Sequence, residues 1–306
     1  MPPVFSPLPI DAALPALLAA LAGSGAAVLQ APPGAGKTTR VPLALLDQSW
    51  RGDGKILVVE PRRLAARAAA RRMAQTLGEE VGARVGYRVR LDTKVGPDTR
   101  IEVMTDGLFL RRLQDDPGLD GVAAVLFDEV HERGVDADLA LALCLEARAA
   151  LRDDLRLVAM SATLDAEPFV RLLAGATGVA VPLVSSEGRA FPVVPRYLDA
   201  PPPGGRIEAA VADAVRLALR EETGSVLVFL PGVGEIRRVE SLLNDSGLPP
   251  EVLLAPLYGD LTAQAQDAAV APAPPGMRKI VLATPIAETS LTIEGVRVVV
   301  DSGLAR

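Results

Sequence analysis

The chain has 306 residues but only one cysteine, one histidine and one tryptophan, and aromatic side chains make up just 3% of it. A lone cysteine, Cys144, rules out both a disulfide framework and a thiolate metal site. It lies in the apolar stretch LALALCLEA, which predicts a small residue buried on a helix. No apolar run reaches the ~18 residues of a membrane span, and no basic region precedes the N-terminal apolar stretch. These absences predict a cytoplasmic chain without a membrane partner. Net positive charge is missing too. A balance of −6 at pH 7 argues against indiscriminate polyanion binding, although a strand-tracking site needs only a local basic groove.

What is present begins with apolar content. A hydrophobic fraction of 49% over this length suits two domains, each with its own core. Apolar runs alternate with helical patterns, the signature of parallel sheets covered by helices on both faces. Strands are predicted at Ala26–Gln30, Ile56–Glu60, Ile101–Thr105, Ala123–Phe127 and Leu157–Ser161, then at Val226–Leu230, Val252–Pro256, Lys279–Ala283 and Val296–Asp301. Helices fit between them, among them Lys37–Leu46, Leu64–Leu77, Ala137–Ala149 and Glu208–Arg220. The proline-rich stretch from Val179 to Gly205 suits neither a helix nor a central strand. We expect the connection near Pro182–Ser186, with domains at 1–182 and 183–306.

Two motifs carry chemistry. The first is Ala31-Pro32-Pro33-Gly34-Ala35-Gly36-Lys37-Thr38-Thr39, between a predicted strand and a predicted helix. Gly34 and Gly36 let the backbone wrap closely around anionic oxygens, and the helix N-terminus offers unpaired N–H groups. Lys37 would reach the terminal phosphates, and the Thr38 hydroxyl would face Mg²⁺. The second motif is Asp128-Glu129-Val130-His131, after the wholly apolar run Val122–Phe127. Asp128 would hold Mg²⁺ and Glu129 would orient and deprotonate an attacking water. Together the two motifs predict a nucleoside triphosphatase using ATP and Mg²⁺. His131 alone would read as a cap or a surface histidine. Arg62, Arg63, Arg67, Arg71 and Arg72 gather in one predicted helix, with 63, 67 and 71 on one face and 62 and 72 pointing elsewhere. That face is either a solvated charged surface or part of a nucleic-acid groove.

The ordered set APPGAGKT, EPRRLAAR (60–67), TDG (105–107), DEVHER (128–133), SAT (161–163), FLPG (229–232) and TPIAETSLTIEG (284–295) resembles superfamily 2 helicases of the DEAH/DExH-box group. SEGRAFPV (186–193), LPGVGEIRRV (230–239) and MRKIVLAT (277–284) are most similar to the bacterial HrpB type of ATP-dependent RNA helicase. The resemblance implies two tandem RecA-like domains, with ATP at the C-terminal ends of the first sheet and a second domain that closes on it. It gives His131 a place in the catalytic set. It also implies that Ser161 and Thr163 couple the ATP site to closure and that Arg72 stacks on adenine. Arg62, Arg63, Thr105 and Gly107 would line a strand path continued by Thr284 and Thr289, with RNA held by its backbone and little base preference. A DNA-translocating relative and a nucleotide-binding module without turnover remain alternatives.

The pattern departs from the group in two places. Pro285 stands where asparagine is common in TNIAETS, removing an N–H and an amide. The sequence stops at DSGLAR, before any QRxGRAGR-like segment. The resemblance therefore implies an incomplete second domain, and a 306-residue chain that binds ATP with almost no turnover.

Overall fold

Short runs of valine, leucine and isoleucine, too apolar to face water on either side, form the central strands, and alanine-rich amphipathic segments between them form the covering helices. The computed structural model describes residues 7–163, 165–188, 192–198, 206–287 and 292–304. The chain divides into two units, Met1–Phe191 and Pro192–Arg306.

The first unit runs α1 (Leu14–Gly23), β1 (Ala26–Gln30), α2 (Lys37–Ala44), β2 (Lys55–Glu60), α3 (Arg63–Thr76), β3 (Val85–Val89), β4 (Asp92–Lys94), β5 (Ile101–Thr105), α4 (Asp106–Asp115), β6 (Val122–Phe127), α5 (Val135–Ala150), β7 (Arg156–Ser161), α6 (Glu167–Thr177) and β8 (Leu183–Ser185). Its sheet has the order β4-β3-β5-β2-β6-β7-β1-β8 and is parallel except for the β3–β4 hairpin at one edge. Alternate strand residues feed opposite cores, as a period of two requires. Ala27, Leu29, Ile56, Val58, Val103, Leu126 and Met160 pack under α1, α2 and α3. Val28, Leu57, Val59, Met104, Phe127, Leu157 and Ala159 pack under α4, α5 and α6. Each fully buried aliphatic side chain contributes about 1.5–3 kcal/mol. Phe109 and Phe127 meet edge to face, with centroids 5.7 Å apart, and pin α4 to the second face. Cys144 is buried there on α5, and burial raises its thiol pKa, as an inert core residue requires.

The second unit runs α7 (Ile207–Glu221), β9 (Ser225–Phe229), α8 (Val233–Asp245), β10 (Val252–Leu257), α9 (Ala263–Val270), β11 (Arg278–Ala283) and β12 (Val296–Asp301). Its four strands are parallel in the order β10-β11-β9-β12, with Val211, Val215, Ile236, Val239, Ile280 and Leu282 in the core.

Several features differ from or add to expectation. The first sheet takes in Leu183–Ser185 as its edge strand, because Val28, Leu29 and Gln30 pair with Leu183, Val184 and Ser185. The first unit therefore extends to Phe191, past the 182/183 boundary. Helix α2 ends at Ala44 rather than Leu46: Pro42 interrupts the ladder, and Leu45 and Leu46 donate only to Pro42 and Leu43 in three-residue turns. Arg67 is buried, 3.9 Å from Asp92 of the hairpin, so the 63/67/71 stripe is not a continuous exposed face. Pro285 opens the 3-10 turn Pro285–Ala287, and the first position of a helical turn is where proline is best tolerated.

Candidate nucleotide site

Strand β1 delivers the chain into Ala31–Gly36, and the Ala31 N–H continues the ladder by donating to Ser161 O at 3.0 Å. Gly34 and Gly36 take φ of +76° and +100°, conformations open to glycine at little cost. Gly36 caps α2, so the first N–H groups of that helix face the hollow of the loop. Lys37 follows as the first helical residue and is only 4% exposed. In the sheet, β7 separates β1 from β6, so the loop faces the end of β6 across a strand-order crossover.

At the end of β6 the Asp128 N–H donates to Val59 O at 2.9 Å, fixing the carboxylate at the rim. Thr38 Oγ1 donates to Asp128 Oδ2, and Lys37 Nζ lies 3.8 Å from Glu129 Oε1. Burial raises the Asp128 carboxyl pKa against the opposing pull of Lys37. Glu129 is pushed up to about 7, first by burial and then by the adjacent Asp128. Its backbone holds φ +49°, a left-handed conformation that costs a glutamate about 1–3 kcal/mol. Its Oε2 is buried and accepts no hydrogen bond among the described residues. Glu129 thus combines a left-handed backbone, a buried oxygen and a buried lysine 3.8 Å away.

His131 stands next to this carboxylate, with Nδ1 3.3 Å from Glu129 Oε2. The Ala162 N–H donates to the same nitrogen at 3.3 Å. Burial lowers the pKa of this imidazole. The link joins the DEVH segment to Ser161-Ala162-Thr163, where the Ser161 and Thr163 hydroxyls lie 3.2 Å apart.

The geometry thus brings together Ala31–Thr39, Asp128, Glu129, His131, Ser161 and Thr163. Arg72 is exposed in the third turn of α3. Arg62 caps α3 and pairs with Glu132 at 3.2 Å, while Arg63 is exposed. Thr105 is buried at the start of α4 and Gly107 is exposed in its first turn. Thr284 is half-buried after β11, its N–H donating to Leu257 O at 3.2 Å. Thr289 falls outside the described residues. The Arg62–Glu132 pair had no signal in the motif pattern, since nothing in a spacing of 70 residues announces a contact.

Residues 11–170 match the DEAD/DEAH box helicase family, and residues 209–306 match the helicase conserved C-terminal domain. The chain belongs to the DEAD/DEAH box helicase family. Its mostly parallel first sheet and parallel second sheet are those of two RecA-like helicase domains. It is 53% identical to the ATP-dependent RNA helicase HrpB of Escherichia coli K12 over 302 residues, 99% of this chain and 36% of that protein. It is 36% identical to the pre-mRNA-splicing factor ATP-dependent RNA helicase prp22 of Schizosaccharomyces pombe over 287 residues, 91% of this chain and 24% of that protein. The crystal structure of the E. coli DEAH/RHA helicase HrpB superposes with a TM-score of 0.86 at 53% identity, over 96% of this chain and 37% of that one. This helicase chain thus spans about a third or less of the length of the curated relatives it matches.

Proposed function

We propose that this chain is the ATP-hydrolysing core of an RNA helicase that moves along or unwinds RNA. The observation that carries the reading is the convergence of Lys37, Thr38, Asp128 and Glu129 at one rim of the first sheet. Glycine-shaped loop backbone and the start of α2 hold the phosphates of ATP, with Lys37 on the terminal ones. Mg²⁺ fits Thr38 and Asp128, because this ion takes one or two protein oxygens and completes its shell with phosphates and water. Bound there, it supplies charge neutralisation for the transferring phosphoryl group. Glu129 then orients a water and accepts its proton, a step favoured in a carboxyl pushed up to about 7. His131, Ser161 and Thr163 relay the state of this site to closure of the second domain, with Ala162 N–H on His131 as the link.

RNA is the substrate class named for both relatives. In this reading its backbone lies on Arg62, Arg63 and the Thr105–Gly107 turn, and on Thr284 and Thr289 in the second domain. Arg62 exchanges Glu132 for a phosphate, and buried Thr105 serves through its backbone. Arg72 stacks on the adenine. A cytoplasmic setting belongs to the same reading; among the described residues no helix is long and apolar enough to cross a membrane. The test is ATP turnover by the full-length protein with RNA, with single-stranded DNA and with neither. Stimulation by RNA alone is expected. Equal stimulation by DNA would make it a general strand translocase, and a Lys37→Ala variant with unchanged turnover would overturn the site.

A further inference from the structure

The phosphate loop is gripped from outside by two segments far apart in sequence, the turn Pro9–Ala12 and the stretch that leaves β8. Ile10 N–H donates to Ala35 O at 3.1 Å. In a trans peptide the carbonyl and the following N–H point in opposite directions, so anchoring Ala35 O aims the Gly36 N–H away from Ile10. Gly36 lies so close to this turn that an added Cβ would stand 2.7 Å from Leu8 Cδ1 and 3.2 Å from Ile10 Cγ2. Asp11 closes the turn by accepting the Leu8 N–H at 2.8 Å and reaches Arg40 Nε of α2 at 3.4 Å.

The second segment completes the grip. The Ser186 N–H donates to Gln30 O at 2.8 Å, immediately before the loop begins, and its hydroxyl donates to Pro9 O at 3.0 Å. Two residues on, a Cβ added to Gly188 would sit 1.9 Å from Pro32 Cγ, so only glycine lets the chain pass the loop there. This chain then continues to the second unit, which begins at Pro192.

We propose that Asp11 and Ser186 are positioning residues that clasp the phosphate loop in its nucleotide-ready shape. Through Gly188 and Pro32, the clasp ties that shape to the segment leading to the second domain. The inference rests on the assignment of Ala31–Thr39 as the ATP-phosphate site. None of the clasp side chains touches the hollow of the loop. Their effect is therefore on how well its N–H groups are aimed before nucleotide arrives, which falls on binding more than on the chemical step.

The test uses the full-length protein with Asp11→Asn, Ser186→Ala, Ser186→Thr, Gly188→Ala and Lys37→Ala. Ser24→Ala is the control, since its hydroxyl donates to Ala20 O and Ala26 O at the other end of β1. Loss of a single hydrogen bond corresponds to a change of about 3- to 10-fold. We expect that rise in KM for ATP, with kcat within about twofold, for Asp11→Asn and Ser186→Ala. Ser186→Thr should restore the wild-type KM, Gly188→Ala should raise it at least as much as Ser186→Ala, and Ser24→Ala should leave it unchanged. A lowered Tm with KM for ATP unmoved in Asp11→Asn and Ser186→Ala would show a purely structural role and overturn the clasp, as would an equal shift in Ser24→Ala. If Lys37→Ala itself leaves ATP binding intact, the phosphate-site assignment fails instead.

Discussion

Replacing Glu129 by glutamine should stabilise the nucleotide-free protein at alkaline pH and do nothing in acid. The folded chain raises this carboxyl from an ordinary value of 4.5 to about 7, through burial and the neighbouring Asp128 charge. A raised folded pKa means that folding favours the protonated form. The associated stability is present below the unfolded pKa near 4.5 and is lost as pH rises through about 7. Each unit is worth 1.36 kcal/mol, so the gap between the two values sets a ceiling of roughly 3 kcal/mol. Lys37, 3.8 Å away, already opposes the shift, so its attraction is contained in that figure. Repulsion shared with Asp128 is only partly recovered by changing one member, and about 1–3 kcal/mol is the expected gain above pH 8.

The assay is urea unfolding without nucleotide or Mg²⁺, from pH 4.5 to 8.5. Trp50 is the only tryptophan in the chain and lies under the Arg156 guanidinium at 5.5 Å from the ring centroid, so its fluorescence reports on the first unit. The glutamine variant should match the wild type near pH 4.5 and pull ahead between pH 5 and 8. His131 lies 3.3 Å from Glu129 and titrates in the same window, so the comparison is repeated in a His131→Gln background, where the same pH-dependent gain is expected. A variant less stable than wild type at pH 8, or a difference that does not change with pH, would refute the account of Glu129 as a costly buried charge.

Lys37→Ala should weaken ATP·Mg²⁺ binding by about 1.5–3 kcal/mol, the range for a hydrogen bond to a charged group, as read by calorimetry. In the full-length enzyme Glu129→Gln should bind ATP yet hydrolyse it at least ~100-fold more slowly, and unchanged turnover would place the base elsewhere. Asp128→Asn should instead raise the Mg²⁺ concentration needed for half-maximal turnover, a difference that a metal titration resolves. Arg67→Ala should lower stability by about 1–3 kcal/mol, because it empties a buried site and removes a cation 3.9 Å from Asp92, whereas exposed Arg63→Ala should leave the unfolding midpoint unchanged.

Much of the fold was legible because the central strands are buried on both sides. Val122–Phe127 is apolar at every position, and such a run says so directly, while Ile101–Thr105 shows Ile101, Val103 and Met104 in the core and its buried Glu102 paired with Lys55, Arg88 and Arg112. The hairpin β3–β4 escaped for the opposite reason. Val85, Tyr87 and Val89 do alternate, but the turn contains no glycine or asparagine; Leu91 takes the left-handed conformation at φ +66° and is almost fully exposed. Strand β8 was hidden by the proline-rich composition around it. Pro182 is tolerated because β8 is an edge strand, and Pro182 O still accepts the Val28 N–H at 3.0 Å. Arg67 was misplaced because a charge at helical spacing looks the same whether water or a distant aspartate receives it.

The candidate site was legible as a cluster for a further reason. Its parts are local signatures, a glycine loop and a pair of adjacent carboxylates, each closed within a few residues of sequence. What no local pattern carries is the support around them. The Ala162 N–H on His131, the Glu132 carboxylate on Arg62 and the Pro9–Ser186 clasp join segments 31, 70 and 177 residues apart. Those contacts decide whether the loop, the carboxylates and the Ser161–Thr163 segment share one geometry. The motifs therefore name the chemistry, and the long-range contacts determine how it is aimed. Substitutions at Asp11, Ser186 or Glu132 should then alter affinity and coupling while leaving every recognisable motif intact.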